Sequence, residues 1–268
     1  QPDPVLLVEC GPGRGTLMAD ALRAASGVAA SFRAALRVHL VETSPRLRAQ
    51  QSARVPDATW HDALEDVPPG PIILLANEFL DALPIRQFVR RGVAWAERFV
   101  DGGAFAEQPT AASDLDAADE GAVIELCEPA RAVADHMARR VMRDGGVALF
   151  LDYGPAESAP GDSLQALQAG RPTGPLVEPG SADLTAHVDF AALARVARAA
   201  GAAVHGPVPQ GLFLTRLGLF QRTGRLAQTQ PPLRAAALVQ AAQRLAEPDR
   251  MGRLFKALTI CHPALPCP

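Results

Sequence analysis

The chain has 268 residues, is 48% hydrophobic and 21% charged, and carries a formal net charge of −3. Such a length and balance supply one large buried core or two modest ones, and nothing in the charge suggests a nucleic-acid surface. No apolar run reaches the ~18 residues of a membrane helix, and Cys10, Cys127, Cys261 and Cys267 form neither a C-x-x-C pair nor a zinc spacing, the usage of a reducing compartment.

Val5 to Val8 read as a short buried strand, closed by Glu9 and followed by Gly11, Gly13 and Gly15. Glycine permits positive φ and lets backbone approach a ligand that a Cβ would exclude. A dinucleotide loop needs G-x-G-x-x-G, and its third glycine would fall on Thr16. The acid-first order Glu9-x-Gly11-x-Gly13-x-Gly15 instead suits S-adenosylmethionine (SAM), which has a cationic sulfonium and an amino-acid tail and no pyrophosphate. A nucleotide loop and a plain tight turn are the other readings.

Residues 16 to 26 carry a helical pattern ending near Gly27, Arg37 to Val41 a second strand, and the Glu42-Thr43-Ser44-Pro45 segment leads into a helix with Leu47. Val67 to Gly70 is loop, and the apolar run Ile72 to Ala76 fits a central parallel strand. Ile85 to Val89 and Val93 to Val100 predict a hairpin around Arg91-Gly92, and residues 106 to 120 a loop. Val123 to Leu126, a helix over Pro129 to Met142, and Val147 to Leu151 predict a strand–helix–strand unit. Residues 155 to 182 read as an irregular excursion. Asp189 caps a helix that Gly201 ends, residues 211 to 245 are mostly helical, and Leu254 to Cys261 is a last strand. The alternation predicts an α/β fold with a doubly wound, mostly parallel sheet, forming a single domain with insertions at about 84–101 and 155–188.

Ligands in such sheets sit beyond the carboxyl ends of the strands, where strand order reverses. Glu42 after strand two is placed to accept two ribose hydroxyls, or to complement a helix dipole. Asp62, near the end of a third strand, can accept from an adenine amino group. Strand four ends in Asn77-Glu78-Phe79-Leu80-Asp81-Ala82-Leu83-Pro84, two carboxylates and an amide where packing asks only for a turn. They read as the methyl-acceptor side, with Asp81 one helical turn from Glu78 if the segment coils; the plain alternative is a turn with Asn77 as its cap. Asp152 and Tyr153, the only tyrosine, end strand five, and His187 lies in a further polar cluster. These three are candidate substrate contacts, with rim packing for Tyr153 and a structural histidine for His187 as the bland readings. No spacing suggests a metal.

Taken in order, Leu7 to Leu17, Ala76 to Pro84, Leu151 to Gly154, Asp183 to Phe190 and Gln210 to Leu214 resemble the MidA-type methyltransferases, from about residue 5 to residue 260. Cys10 departs from the usual aliphatic residue, and Gly170-Arg171 replaces a His-aromatic element. The resemblance implies a class I SAM-dependent methyltransferase fold (Rossmann-like) and methylation of arginine in a protein substrate, with a respiratory complex I subunit as the expected partner. It implies Glu9, Gly11, Gly13, Gly15 and Glu42 as cofactor positions and Asn77, Glu78 and Asp81 as the acceptor motif. It also implies an N-terminal lid ahead of Gln1, and location in a bacterial cytoplasm or a mitochondrial matrix. A SAM-binding assembly chaperone and a small-molecule methyltransferase are the alternatives.

Overall fold

The computed structural model describes residues 4–111, 115 and 118–265. β1 (Val5–Cys10) leads through the glycine turn into α1 (Thr16–Val28) and a short α2 (Ala30–Ala35). β2 (Leu36–Val41) is followed by α3 (Pro45–Ser52), and β3 (Thr59–His61) by a loop to β4 (Ile72–Asn77). β5 (Arg86–Arg91), β6 (Ala94–Asp101), β7 (Ala104–Thr110) and β8 (Val123–Leu126) then build an antiparallel sheet in the order β7-β6-β5-β8. The chain returns through α4 (Glu128–Asp144) to β9 (Gly146–Tyr153). It adds three short strands, β10 (Gln165–Gln168), β11 (Arg171–Thr173) and β12 (Asp183–Thr185), and crosses by α5 (Phe190–Ala199) to β13 (Ala203–Pro209). Three helices, α6 (Gln210–Arg216), α7 (Leu219–Ala227) and α8 (Pro232–Ala246), precede the last strand β14 (Phe255–Cys261).

The main sheet runs β13-β14-β9-β4-β1-β2-β3, with β14 antiparallel to both neighbours. β1 is buried along its whole length and feeds two cores by alternation. Val5 and Leu7 join Met18 of α1 on one face, while Leu6 and Val8 join Met137 of α4 and Phe190 of α5 on the other. From β1 the chain winds outward to β2 and β3, then reverses through β4 to β9. The crevice of that reversal opens beyond Cys10 and Asn77.

Several expectations need correction. The 106–120 loop overlaps β7, whose pairing with β6 runs from Asp101↔Ala104 to Trp95↔Thr110; part of the predicted loop lies outside the described residues. Val123 to Leu126 does not open a unit of the main sheet: as β8 it pairs antiparallel with β5. The excursion contains β10 to β12. β13 went unpredicted because Gly206, Pro207 and Pro209 interrupt it; prolines lack an N–H and are tolerated here because β13 is an edge.

Candidate active site

The glycine turn is held open from both sides. Gly11, Gly13 and Gly15 have φ of 61°, 51° and 74°, a region costly for residues with a Cβ. A Cβ on Gly11 would lie 3.0 Å from Phe79 Cδ2, so the turn fits closely against the acceptor motif. Nothing lies within 4 Å of a Cβ position on Gly13, where the turn faces open space. Gly15 caps α1 and donates its own N–H to Pro12 O at 2.7 Å, so the unpaired N–H groups of the first turn lie beyond it.

Glu9 ends β1 at 3% exposure, and its Oε2 is buried without a hydrogen-bond partner. Burial pushes its carboxyl up to about 7, against a backbone N–H from Met18. A buried oxygen left unpaired is costly, and a cationic ammonium would satisfy it. The orphan oxygen, the open backbone at Gly13 and the start of α1 therefore fit the amino-acid end of SAM.

Glu42 Oε1 accepts from Ser44 N at 2.8 Å, and Ser44 in turn caps α3 through Leu47 N at 3.4 Å. The carboxylate thus sits at the start of α3, as the helix-dipole reading expects. The fully buried Gln51 joins it to the turn: its Nε2 donates to Gly13 O at 2.8 Å and to Glu42 Oε2 at 3.3 Å, while its Oε1 accepts from Trp60 Nε1 at 2.7 Å. Sequence reasoning missed Gln51, because a glutamine in the polar helix PRLRAQQS carries no sign of burial. Asp62 is exposed and paired with Arg48 at 2.7 Å. Arg48 also donates to the backbone oxygens of Glu42 and His61, so it brings the ends of β2 and β3 together.

On the acceptor side the segment does not coil. Asn77 ends β4 half-buried, and Glu78 is exposed with φ of 48°, a strained conformation for a residue with a side chain. A turn follows, closed by Leu83 N donating to Leu80 O at 3.2 Å. Asp152 braces it. Its Oδ2 accepts from the N–H groups of Phe79, Leu80 and Asp81 at 3.2, 3.0 and 3.2 Å, and its Oδ1 from Tyr153 N at 2.9 Å. With 0% exposure and both oxygens committed, Asp152 presents nothing to a substrate, which corrects its expected role. Burial and the neighbouring Asp81 push its carboxyl up to about 7.

Asp81 is 7% exposed, and its Oδ1 has no hydrogen-bond partner. Burial, then the Glu78 charge, raise its pKa. The Tyr153 hydroxyl accepts from Gln165 Nε2 at 3.0 Å, and the ring meets His187 edge-on at 5.5 Å. Ala186 N donates to Asp81 O at 3.0 Å and so ties the stretch before His187 to the acceptor turn; the His187 side chain is exposed. The structure therefore gathers Glu9, Gly11, Gly13 and Glu42 around one turn and Glu78, Asp81, Tyr153 and His187 around another. Phe79 against Gly11 joins the two. Among the described residues, no group of three or more His, Cys, Asp or Glu is arranged to hold a metal.

An acid-first glycine turn at the switch point of this sheet, opposite a braced acidic turn, defines a class I methyltransferase fold. The chain belongs to the S-adenosyl-L-methionine-dependent methyltransferase family whose model matches residues 1–208. It is 34% identical over 302 residues to the mitochondrial protein arginine methyltransferase NDUFAF7 homolog of Drosophila melanogaster, covering 97% of this chain and 68% of that protein. It is 32% identical over 285 residues to the Homo sapiens NDUFAF7, covering 93% and 64%. A Burkholderia thailandensis crystal structure matches with a TM-score of 0.81 and 29% identity, over 97% of this chain and 74% of that one. A second, bound to S-adenosyl-homocysteine, matches with a TM-score of 0.79 and 27% identity, over 97% and 72%. Among the described residues no helix is long and apolar enough to cross a membrane.

Proposed function

We propose that this SAM-dependent methyltransferase transfers methyl groups to arginine in a protein substrate, a subunit of respiratory complex I in the first instance. The observation that carries this reading is the acceptor turn, where exposed Glu78 and buried Asp81 lie beside the cofactor turn and Asp81 Oδ1 has no partner. The names of the relatives support the same residue class. The protein would work in a bacterial cytoplasm or a mitochondrial matrix, as one domain with its insertions flanking the acceptor turn.

Glu9 and the amides of the glycine turn would hold the amino-acid end of SAM, Glu42 its ribose and Asp62 its adenine. SAM supplies an electrophilic methyl group. Guanidinium is always charged at working pH and its lone pairs are delocalised, so it is a weak nucleophile. Glu78 and Asp81 fix its plane and complement its charge, and Asn77 hydrogen-bonds beside them. Orientation and fixed charge then supply most of the rate. The proton leaves after the methyl arrives, with Asp81, raised by burial, placed to receive it.

Labelled methyl transfer from SAM into candidate arginine-bearing proteins tests the reading. Glu78→Gln and Asp81→Asn should leave SAM affinity nearly unchanged and lower transfer by ~10²-fold or more, the loss of one positioned electrostatic contact. A lowered melting temperature with wild-type rates would reduce both residues to turn caps. Label on lysine or on a small molecule would reject arginine as acceptor. Tight binding of an unassembled subunit without transfer would favour a chaperone.

A further inference from the structure

Beside the acceptor turn lies a cleft of about 530 Å³, walled by Glu125, by parts of the segment after Tyr153, by His187 and Asp189, and by residues of the turn that enters β14 together with Lys256. It is contiguous with the acceptor side, since Gly154 follows Tyr153 and His187 meets the Tyr153 ring. Its charged groups divide sharply in how they are engaged. Glu125 accepts from Gln87 Nε2, from the N–H groups of Ser163 and Leu164, and from the Ser163 hydroxyl. Asp189 accepts from Ser158 Oγ and from Ala192 N as the cap of α5. Two of the three wall acids, Glu125 and Asp189, are thus consumed in holding the cleft together, and the third, Asp249, is exposed.

Two of the cations, Lys256 and Arg253, have no carboxylate partner among the described residues. Lys256 is 8% exposed, and its Nζ donates to the carbonyls of Arg253 at 2.6 Å and Leu254 at 2.8 Å, leaving the third of its donors. No carboxylate among the described residues pairs with it or with the exposed Arg253. Arg250 has Glu247 at 3.3 Å, and the exposed Asp249 is the remaining acid of the lining. A buried ammonium without a counter-ion is unfavourable, and a ligand carboxylate would be rewarded there more than at an open surface. Burial, with Arg253 beside it, holds the Lys256 pKa below its usual value, in keeping with this lack of an anion.

We propose that this cleft docks a carboxylate carried by the acceptor polypeptide a few residues from its methylated arginine, received by Lys256 and Arg253. The site thus selects a paired pattern, a guanidinium for the acidic turn and an acid for the Lys256–Arg253 side of the cleft. Opposite charges on enzyme and substrate then fix the direction in which the chain lies, since the reverse orientation would set like charges together. This rests on the arginine reading and deepens it.

The test uses peptides with one central arginine and a single glutamate stepped through the flanking positions, each with a glutamine control. Binding is read by fluorescence anisotropy with S-adenosylhomocysteine present, and labelled methyl transfer is measured in parallel. At one or two adjacent positions glutamate should bind about tenfold more tightly than glutamine, the worth of one charge-assisted contact. Arg253→Ala and Lys256→Met should bring that ratio towards one, and Arg253→Glu should reverse it in favour of a lysine at the same position. Arg253 is exposed, so its variants keep the test open if Lys256→Met fails to fold. Equal binding of glutamate and glutamine peptides at every position overturns the proposal, as does a ratio that survives the Arg253 variants. Position-specific glutamate binding without methyl transfer would retain the acid-docking cleft and remove arginine as the methyl acceptor.

Discussion

Glu78 holds a backbone conformation that few side chains adopt. Its φ of 48° places a side chain where glycine is the easier choice, at a cost on the order of 1 kcal/mol. The conformation is over-determined: Glu78 N donates to Leu151 O at 2.8 Å, and the three following N–H groups converge on Asp152. Glu78→Gly should therefore raise stability by about 1 kcal/mol while methyl transfer falls as far as it does in Glu78→Gln. Urea denaturation and labelled transfer on the two variants check this. A glycine variant less stable than wild type would show that the carboxylate itself supports the turn. The sequence marked the acids of this turn but misjudged their support. Asp152 looked like a substrate contact because it ends a strand beside Tyr153, and nothing in its neighbours' identities reveals that its lone pairs are spent on backbone seventy residues away.

At the scale of elements, the legible parts were those with a strong period. β1, β4 and β9 are apolar runs of strand length, and α4 and α5 carry apolar stripes, so their types and order could be read from residues alone. β13 was hidden by its prolines, and β7 by having no buried face and a proline of its own, Pro109. α3 was found, but its one buried side chain was not. Gln51 couples three elements, taking a bond from Trp60 of β3 and giving one each to the glycine turn and Glu42. Gln51→Ala should leave the Gly13 carbonyl and the Trp60 indole without this partner. A stability loss of about 1–3 kcal/mol is expected, together with a fall in SAM affinity that Glu78→Gln does not show. Calorimetric titration with S-adenosylhomocysteine separates the two effects. Unchanged affinity in a folded Gln51→Ala protein would mean that the turn keeps its shape without the bridge.

For the molecule as a whole, the buried carboxyls make stability depend on pH, and the sign can be worked out. Glu9 rises from 4.5 to about 7 on folding, so the folded state favours its proton. Its stabilising contribution is complete below the unfolded value and is lost as pH rises through about 7, with an upper size of about 3 kcal/mol. Asp152, also pushed up to about 7, acts in the same direction. His39 and His61, hydrogen-bonded to each other at 2.8 Å, have lowered pKa values and therefore oppose the trend on acidification. Comparing wild type with Glu9→Gln at each pH cancels those other groups. The amide variant should gain stability relative to wild type between pH 5 and pH 8, as the wild-type carboxyl is forced to ionise without a partner. Saturating S-adenosylhomocysteine should remove most of that gain, because its ammonium pairs with the ionised Glu9 and its binding energy adds to the folded state. Its affinity for wild type should accordingly strengthen as pH rises through about 7, and in Glu9→Gln that rise should disappear. Denaturation curves and calorimetric titrations across this range measure both quantities. A stability difference that stays flat with pH would show that Glu9 is solvated in the ligand-free protein, and an unchanged pH profile of affinity in Glu9→Gln would place the ammonium elsewhere.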